Sequence, residues 1–107
     1  MFTSTEKIAE KTIIKIHKDI SDIKKAEDFN DELMEVYNIG EKEIVLDLSK
    51  INVINSSGVG KILFFYKLLK DKGGNLYMTR PNQYVKEVFD TFMLHVLIPE
   101  ISLESLK

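Results

Sequence analysis

Two adjacent hydroxyls, an amide and two glycines stand together at the midpoint of the chain, in Asn55-Ser56-Ser57-Gly58-Val59-Gly60. That combination suits a turn that opens a helix. The first N–H groups of a helix have no internal partners, and the aligned peptide dipoles place partial positive charge there. Ser56 or Ser57 can cap those groups. A phosphoryl group on either hydroxyl would be met by the same N–H groups and dipole. Gly58 and Gly60 leave room for a backbone or a ligand to come close. The plainer use of the same residues is structural, since Asn and Ser are ordinary caps and Gly is common in turns.

Other chemistry is sparse. His17 and His95 have no second histidine or acidic cluster at ligand spacing, and there is no cysteine, so thiol catalysis and thiolate metal sites are excluded. Asp47 lacks a spaced carboxylate or histidine that would support acid–base work, and reads as a hydrogen-bonded structural Asp near a strand end. Gly60-Lys61 is followed by Ile62, so a phosphate-binding loop ending in GKS or GKT is absent. A nucleophile elbow needs Gly two residues before the serine, where Ile54 stands. The inventory points to a binding protein that is not an enzyme and needs no cofactor.

The elements that must position this turn are legible on either side of it. Residues 43–48 (EIVLDL) form an apolar run suited to an interior strand, and a broad helical stripe runs from Ser57 to about residue 72. In that helix Val59, Ile62, Leu63, Tyr66 and Leu69 mark the packed face. Phe64, Phe65 and Leu68 widen it, and one of these three is expected to stay partly exposed for a partner. Gly73-Gly74 closes the helix and residues 75–79 (NLYMT) make the next strand, giving a right-handed βαβ unit. Upstream, residues 2–10 and 11–17 suggest a hairpin turning near residues 9–11. Residues 18–25 read as a loop into a helix with Ala26, Phe29, Leu33 and Val36 at helical spacing, stopped at Gly40. Downstream, Pro81 is expected in the first turn of a third helix whose stripe is Val85, Val88, Phe89 and Phe92. Residues 96–98 read as a short strand or its stub, and residues 102–106 as a terminal helix. The fold class is α/β: one small domain over residues 1–107, with a central mixed sheet, an N-terminal hairpin, a βαβα second half and helices packed on the sheet.

The run INSSGVGKILFFYKLLKDKGGNLYM resembles the signature of STAS domains, the family of bacterial anti-sigma factor antagonists. That signature is an apolar strand, a D-S-[ST]-G-[LVI]-G turn, an amphipathic helix and a Gly-containing loop into the next strand. The resemblance runs from about residue 43 to the end. It implies that Ser56 is the phosphoacceptor for a partner kinase. It also implies a partner surface around Asn55, Ser57, Gly58, Val59 and Gly60, bordered by the loop that carries Asp19, Ser21 and Asp22. One departure stands out: the acidic position of the signature is Asn55 here, which keeps hydrogen-bonding capacity but removes a negative charge beside the serine.

By that resemblance the unphosphorylated domain binds an anti-sigma factor with serine kinase activity, is switched off by phosphorylation at Ser56, and is restored by a phosphatase. Asn55 keeps an alternative open: a constitutive, never phosphorylated scaffold or accessory subunit of a signalling or transporter assembly. A nucleotide or other anion sensor using the same helix start is a third reading. The net charge of −2, from 15 basic and 17 acidic side chains, gives no basic footprint for nucleic acid or anionic lipid. With no membrane-length apolar run and no signal-like start, the expected setting is cytoplasmic, with the protein a monomer or weak dimer.

Overall fold

Period-two alternation gives the sheet of this protein two unlike faces. A computed structural model describes residues 1–106. Strands β1 (Thr3–Ile8) and β2 (Lys11–Ile16) form an antiparallel hairpin, and its two-residue turn at Ala9 and Glu10 holds Ala9 at φ 55°. Helix α1 (Ile23–Ile39) returns the chain to β3 (Glu43–Asp47), parallel to β2, and helix α2 (Ser56–Asp71) to β4 (Asn75–Thr79), parallel to β3. Helix α3 (Gln83–Thr91), the short helix α4 (Leu94–Leu97) and a 3-10 turn at Leu103–Leu106 complete the order. The four strands lie in the order β1-β2-β3-β4. The expected α/β class, mixed sheet and N-terminal hairpin are all present.

The main core lies on one face. Ile14 and Ile16 of β2, Ile44 and Leu46 of β3, and Leu76 and Met78 of β4 meet a fully buried phenylalanine from each longer helix: Phe29 of α1, Phe65 of α2 and Phe89 of α3. Each such ring contributes about 1.5–3 kcal/mol by leaving water. Glu32 of α1 ties the hairpin down from the same side. Its carboxylate accepts the N–H groups of Phe2 and Thr3 and the Thr3 hydroxyl, each at 2.8 Å. Alternation turns Ile13, Val45, Tyr77 and Thr79 toward the reverse face.

Three expectations are corrected. Residues 96–98 are not a strand, because Met93 at φ 59° redirects the chain and residues 94–97 coil into α4, burying Leu94 and then Ile98. Pro81 precedes α3 rather than opening it. Asn82 is the cap, its Oδ1 accepting from the Val85 N–H at 2.8 Å. Helix α2 begins at Ser56, one residue earlier than the sequence pattern indicates, because Asn55 takes the cap position.

Candidate functional site

Strand β3 delivers the chain to the site through a clamped end. Asp47 is 1% exposed; its Oδ1 accepts from the Ser49 N–H at 3.0 Å and its Oδ2 from the Arg80 guanidinium. Burial pushes the Asp47 carboxyl up, but the bonds from Arg80 and Ser49 outweigh it and hold the group below the usual aspartate value. This is the structural Asp that the sequence indicates, and it anchors the start of the loop at Ser49.

At the far end of that loop the helix is capped by an amide. Asn55 adopts φ −92° and ψ 176°, and its Oδ1 accepts from the Gly58 N–H at 2.9 Å, while its carbonyl accepts from Val59 at 3.0 Å. The cap is therefore Asn55, not Ser56 or Ser57. Ser56 becomes the first residue of α2, exposed, with a hydroxyl that takes no hydrogen bond among the described residues. Ser57, half-buried, faces a groove of about 380 Å³ between α1 and α2, with Ile23 and Phe64 on its rim. Those two side chains are 67% and 51% exposed, whereas Phe65 is fully buried. Of the three residues that widen the α2 stripe, Phe64 is thus the one most open to a partner.

The loop 18–22 is knitted to the turn along its length. Ile20 pairs in parallel with Ile54: the Ile20 N–H donates to the Val53 carbonyl at 3.0 Å, and the Asn55 N–H to the Ile20 carbonyl at 2.8 Å. Asp19 Oδ1 accepts from the N–H groups of Asn52 at 2.7 Å and Val53 at 3.1 Å. This strip carries Ser21 and Asp22 forward beside Asn55 and Ser56. Asp22 is engaged locally as the cap of α1. The Lys25 N–H, at 2.8 Å, is the main cause of its lowered carboxyl, with the Lys25 ammonium 3.4 Å away. Lys25 also reaches the Ser21 hydroxyl at 3.2 Å.

The expected partner residues therefore divide. Asn55, Ser56, Ser57, Gly60, Ser21 and Asp22 are exposed or half-exposed along one edge. Gly58 and Val59 point inward. A Cβ at Gly58 would come within 2.8 Å of Ile20 Cγ2 and 2.9 Å of Ile54 Cγ1, so its absence is needed for packing rather than for a ligand. Gly60 has nothing within 4 Å of its notional Cβ and remains open to an approaching surface. Sequence reasoning missed Asn82, whose Nδ2 donates to Asn52 Oδ1 at 3.1 Å and to the Ile51 carbonyl at 3.4 Å, joining α3 to the site loop. It also missed Ile23, whose only signal is an apolar residue directly after the Asp22 cap. No helix among the described residues is long and apolar enough to cross a membrane.

Comparison with known proteins agrees with this geometry. A family model described as the STAS domain matches residues 3–104. A Bordetella bronchiseptica protein named as a candidate anti-sigma factor antagonist, BtrV, is 34% identical over 65 residues. That match takes in 61% of this chain and only 56% of the relative's length. Among solved structures, a candidate anti-sigma factor antagonist of Thermotoga maritima superposes with TM-score 0.87 at 22% identity, covering 96% of this chain and 89% of that one. The anti-sigma factor antagonist SpoIIAA in its unphosphorylated form gives TM-score 0.78 at 19% identity, over 96% and 90%. The phosphorylated form, from Bacillus, gives 0.72 at 19%, over 96% and 94%. At such identities the likeness is one of fold. With a capped serine turn at the start of α2, a four-stranded mixed sheet beneath it and a family match over nearly its whole length, the chain belongs to the STAS domain family.

Proposed function

We propose that this chain is an anti-sigma factor antagonist that binds an anti-sigma factor with serine kinase activity and is released by phosphorylation of Ser56. The observation that carries the reading is the placement of Ser56. It is an exposed hydroxyl on the first residue of α2 that takes no hydrogen bond among the described residues, on an edge joined by the pairing of residues 20 and 54. The BtrV relative and the SpoIIAA fold neighbours support it, the latter known in unphosphorylated and phosphorylated forms. Phosphorylation adds about −1.5 to −2 charges at that edge. Facing a partner surface with no matching cation, such a group weakens association by several kcal/mol. A phosphatase then resets the switch, and the chain itself supplies recognition and the acceptor hydroxyl, not catalysis.

Affinity capture from the protein's own cells tests this. The parent and Ser56→Ala should retain an ATP-binding anti-sigma factor, and Ser56→Asp should lose it. Retention by Ser56→Asp at parental strength would overturn the switch. The second reading, a constitutive STAS scaffold, is favoured by one feature. The residue directly before Ser56 is a neutral amide already committed to the Gly58 N–H, so the acidic position of the signature offers a kinase no carboxylate.

A further inference from the structure

The C-terminal end of α3 and the short helix α4 carry apolar side chains that the Ser56 edge does not use. Tyr84, Val88 and Phe92 recur at i, i+4 and i+8 along one ridge of α3, beside the buried pair Val85 and Phe89. Val88 is half-buried, whereas Tyr84 and Phe92 are each 51% exposed. The chain then turns through Met93 into α4. There the Val96 N–H donates to the Met93 carbonyl at 3.3 Å, which sets Val96 and its neighbour Leu97 one turn from Met93. Leu94 and Ile98 fill the core from this corner. Met93 and Val96 are left 63% and 64% exposed, with Leu97 also open to solvent.

Such a corner is costly to leave bare. Met93 holds φ 59°, a conformation that glycine takes freely and that strains a residue with a Cβ. A long apolar side chain kept there, strained and in water, is the kind of outlier that marks a surface in use. At the exposures given, Tyr84, Phe92, Met93, Val96 and Leu97 together leave on the order of 500 Å² of surface in water, toward the top of the range of about 300–600 Å² for the largest patch on a monomer. Two copies meeting through it would remove on the order of 1,000 Å², the least that a specific contact needs and about half of what an obligate one buries. The ionisable groups closest in sequence, Asp90 and His95, face each other at 3.4 Å, so they ask for no opposite charge on the covering surface. A second copy meets those terms: it brings equal apolar area and a border already matched within each chain.

We propose that this corner is the contact of a weak, reversible homodimer. About a twofold axis, Phe92 and Met93 of each copy lie against Val96 and Leu97 of the other, the reciprocal pairing that such an axis imposes. The contact is centred on the C-terminal end of α3, whereas the site loop meets Asn82 at its N-terminal end. Pairing therefore leaves both Ser56 edges free, and the dimer does not depend on the role of Ser56.

Sedimentation of the purified chain over a concentration range from about 5 µM to about 2 mM tests the proposal. The mean mass should rise from one chain of 12.4 kDa toward twice that value, with a dissociation constant between about 10 µM and about 1 mM. Phe92→Ser and Val96→Glu should each weaken the dimer by about tenfold or more. Both side chains are more than half exposed, so the Tm of either variant should stay near the parental value. Met93→Gly separates strain from contact: its Tm should be at or above that of the parent, while its dimer weakens by about fivefold. Ile39→Glu, at an exposed apolar residue ending α1, should leave association unchanged. Monomer mass at every concentration, association at parental strength in Phe92→Ser, Val96→Glu and Met93→Gly, or an equal loss in Ile39→Glu would each overturn the proposal. If the chain stays monomeric and Val96→Glu instead loses a different protein in affinity capture, the corner belongs to that partner and the homodimer is excluded.

Discussion

Asp19 and Asn52 lie 33 residues apart in sequence, yet one carboxylate oxygen of Asp19 receives the Asn52 N–H at 2.7 Å and the neighbouring Val53 N–H at 3.1 Å. This contact, with the pairing of Ile20 and Ile54, makes the loop before α1 and the loop before α2 a single edge beneath Ser56. A short strip of backbone bonds thus does for the site what a longer strand pair does for the sheet.

Asp19→Ala should loosen that edge. Two backbone N–H groups lose a charged acceptor, at a cost of about 1–2 kcal/mol in stability by urea denaturation. Amide exchange at residues 52–55 should quicken in step. Asp19→Asn keeps an oxygen at the same place and should recover much of the loss. Unchanged exchange in Asp19→Ala would show that the Ile20–Ile54 pairing suffices alone.

The two glycines of the turn should answer differently to alanine. At Gly58 the added carbon meets Ile20 and Ile54 side chains at 2.8 and 2.9 Å. Overpacking of about 1–3 kcal/mol then exceeds the gain in helix propensity of about 1 kcal/mol. Gly60→Ala meets nothing within 4 Å and should stabilise by about 0.5–1 kcal/mol, seen as a higher Tm. If the partner seats closely over this turn, the more stable Gly60→Ala variant will bind it less well.

Asp47 and Arg80 give a pH signature. The folded carboxyl lies below the ordinary aspartate value of 3.8, so its contribution to stability is complete above that pH and is lost as pH falls through the lower, folded value. Arg80→Met leaves a buried carboxylate with the Ser49 N–H alone. At neutral pH the variant should lose about 1–3 kcal/mol, below the full cost of breaking a buried pair because Arg80 is half-exposed. Denaturation of both proteins across the acid range should show the gap closing as pH falls below 3.8, where protonation removes the charge that Arg80 serves. A gap independent of pH would assign the loss to packing.

Strong periodic signals carried most of the fold. The stripe Ala26, Phe29, Leu33 and Val36 marks the buried face of α1, and the run over residues 44–46 marks an interior strand. Where a signal was three residues long it failed: residues 96–98 suit a strand or a helix equally, and the left-handed turn at Met93, invisible to periodicity, decided it. At the site, Asn55, Ser56 and Ser57 are all good caps, and the choice among them moved the helix start by one residue. The sequence puts Asp19, Ser21 and Asp22 on one bordering loop but does not mark Asp19 as the residue that does the joining, because local spacing cannot show which of several acids reaches a loop 33 residues away.

The most direct measurement of the central claim is phosphopeptide mapping of this protein taken from its own cells at rest and under stress. The account predicts a phosphoryl group on Ser56, and not on Ser57 or Ser21, with an occupancy that changes between the two conditions while the bound partner changes inversely. Unmodified Ser56 in both conditions, with a partner still stably attached, would contradict the switch and leave the chain a constitutive binding module.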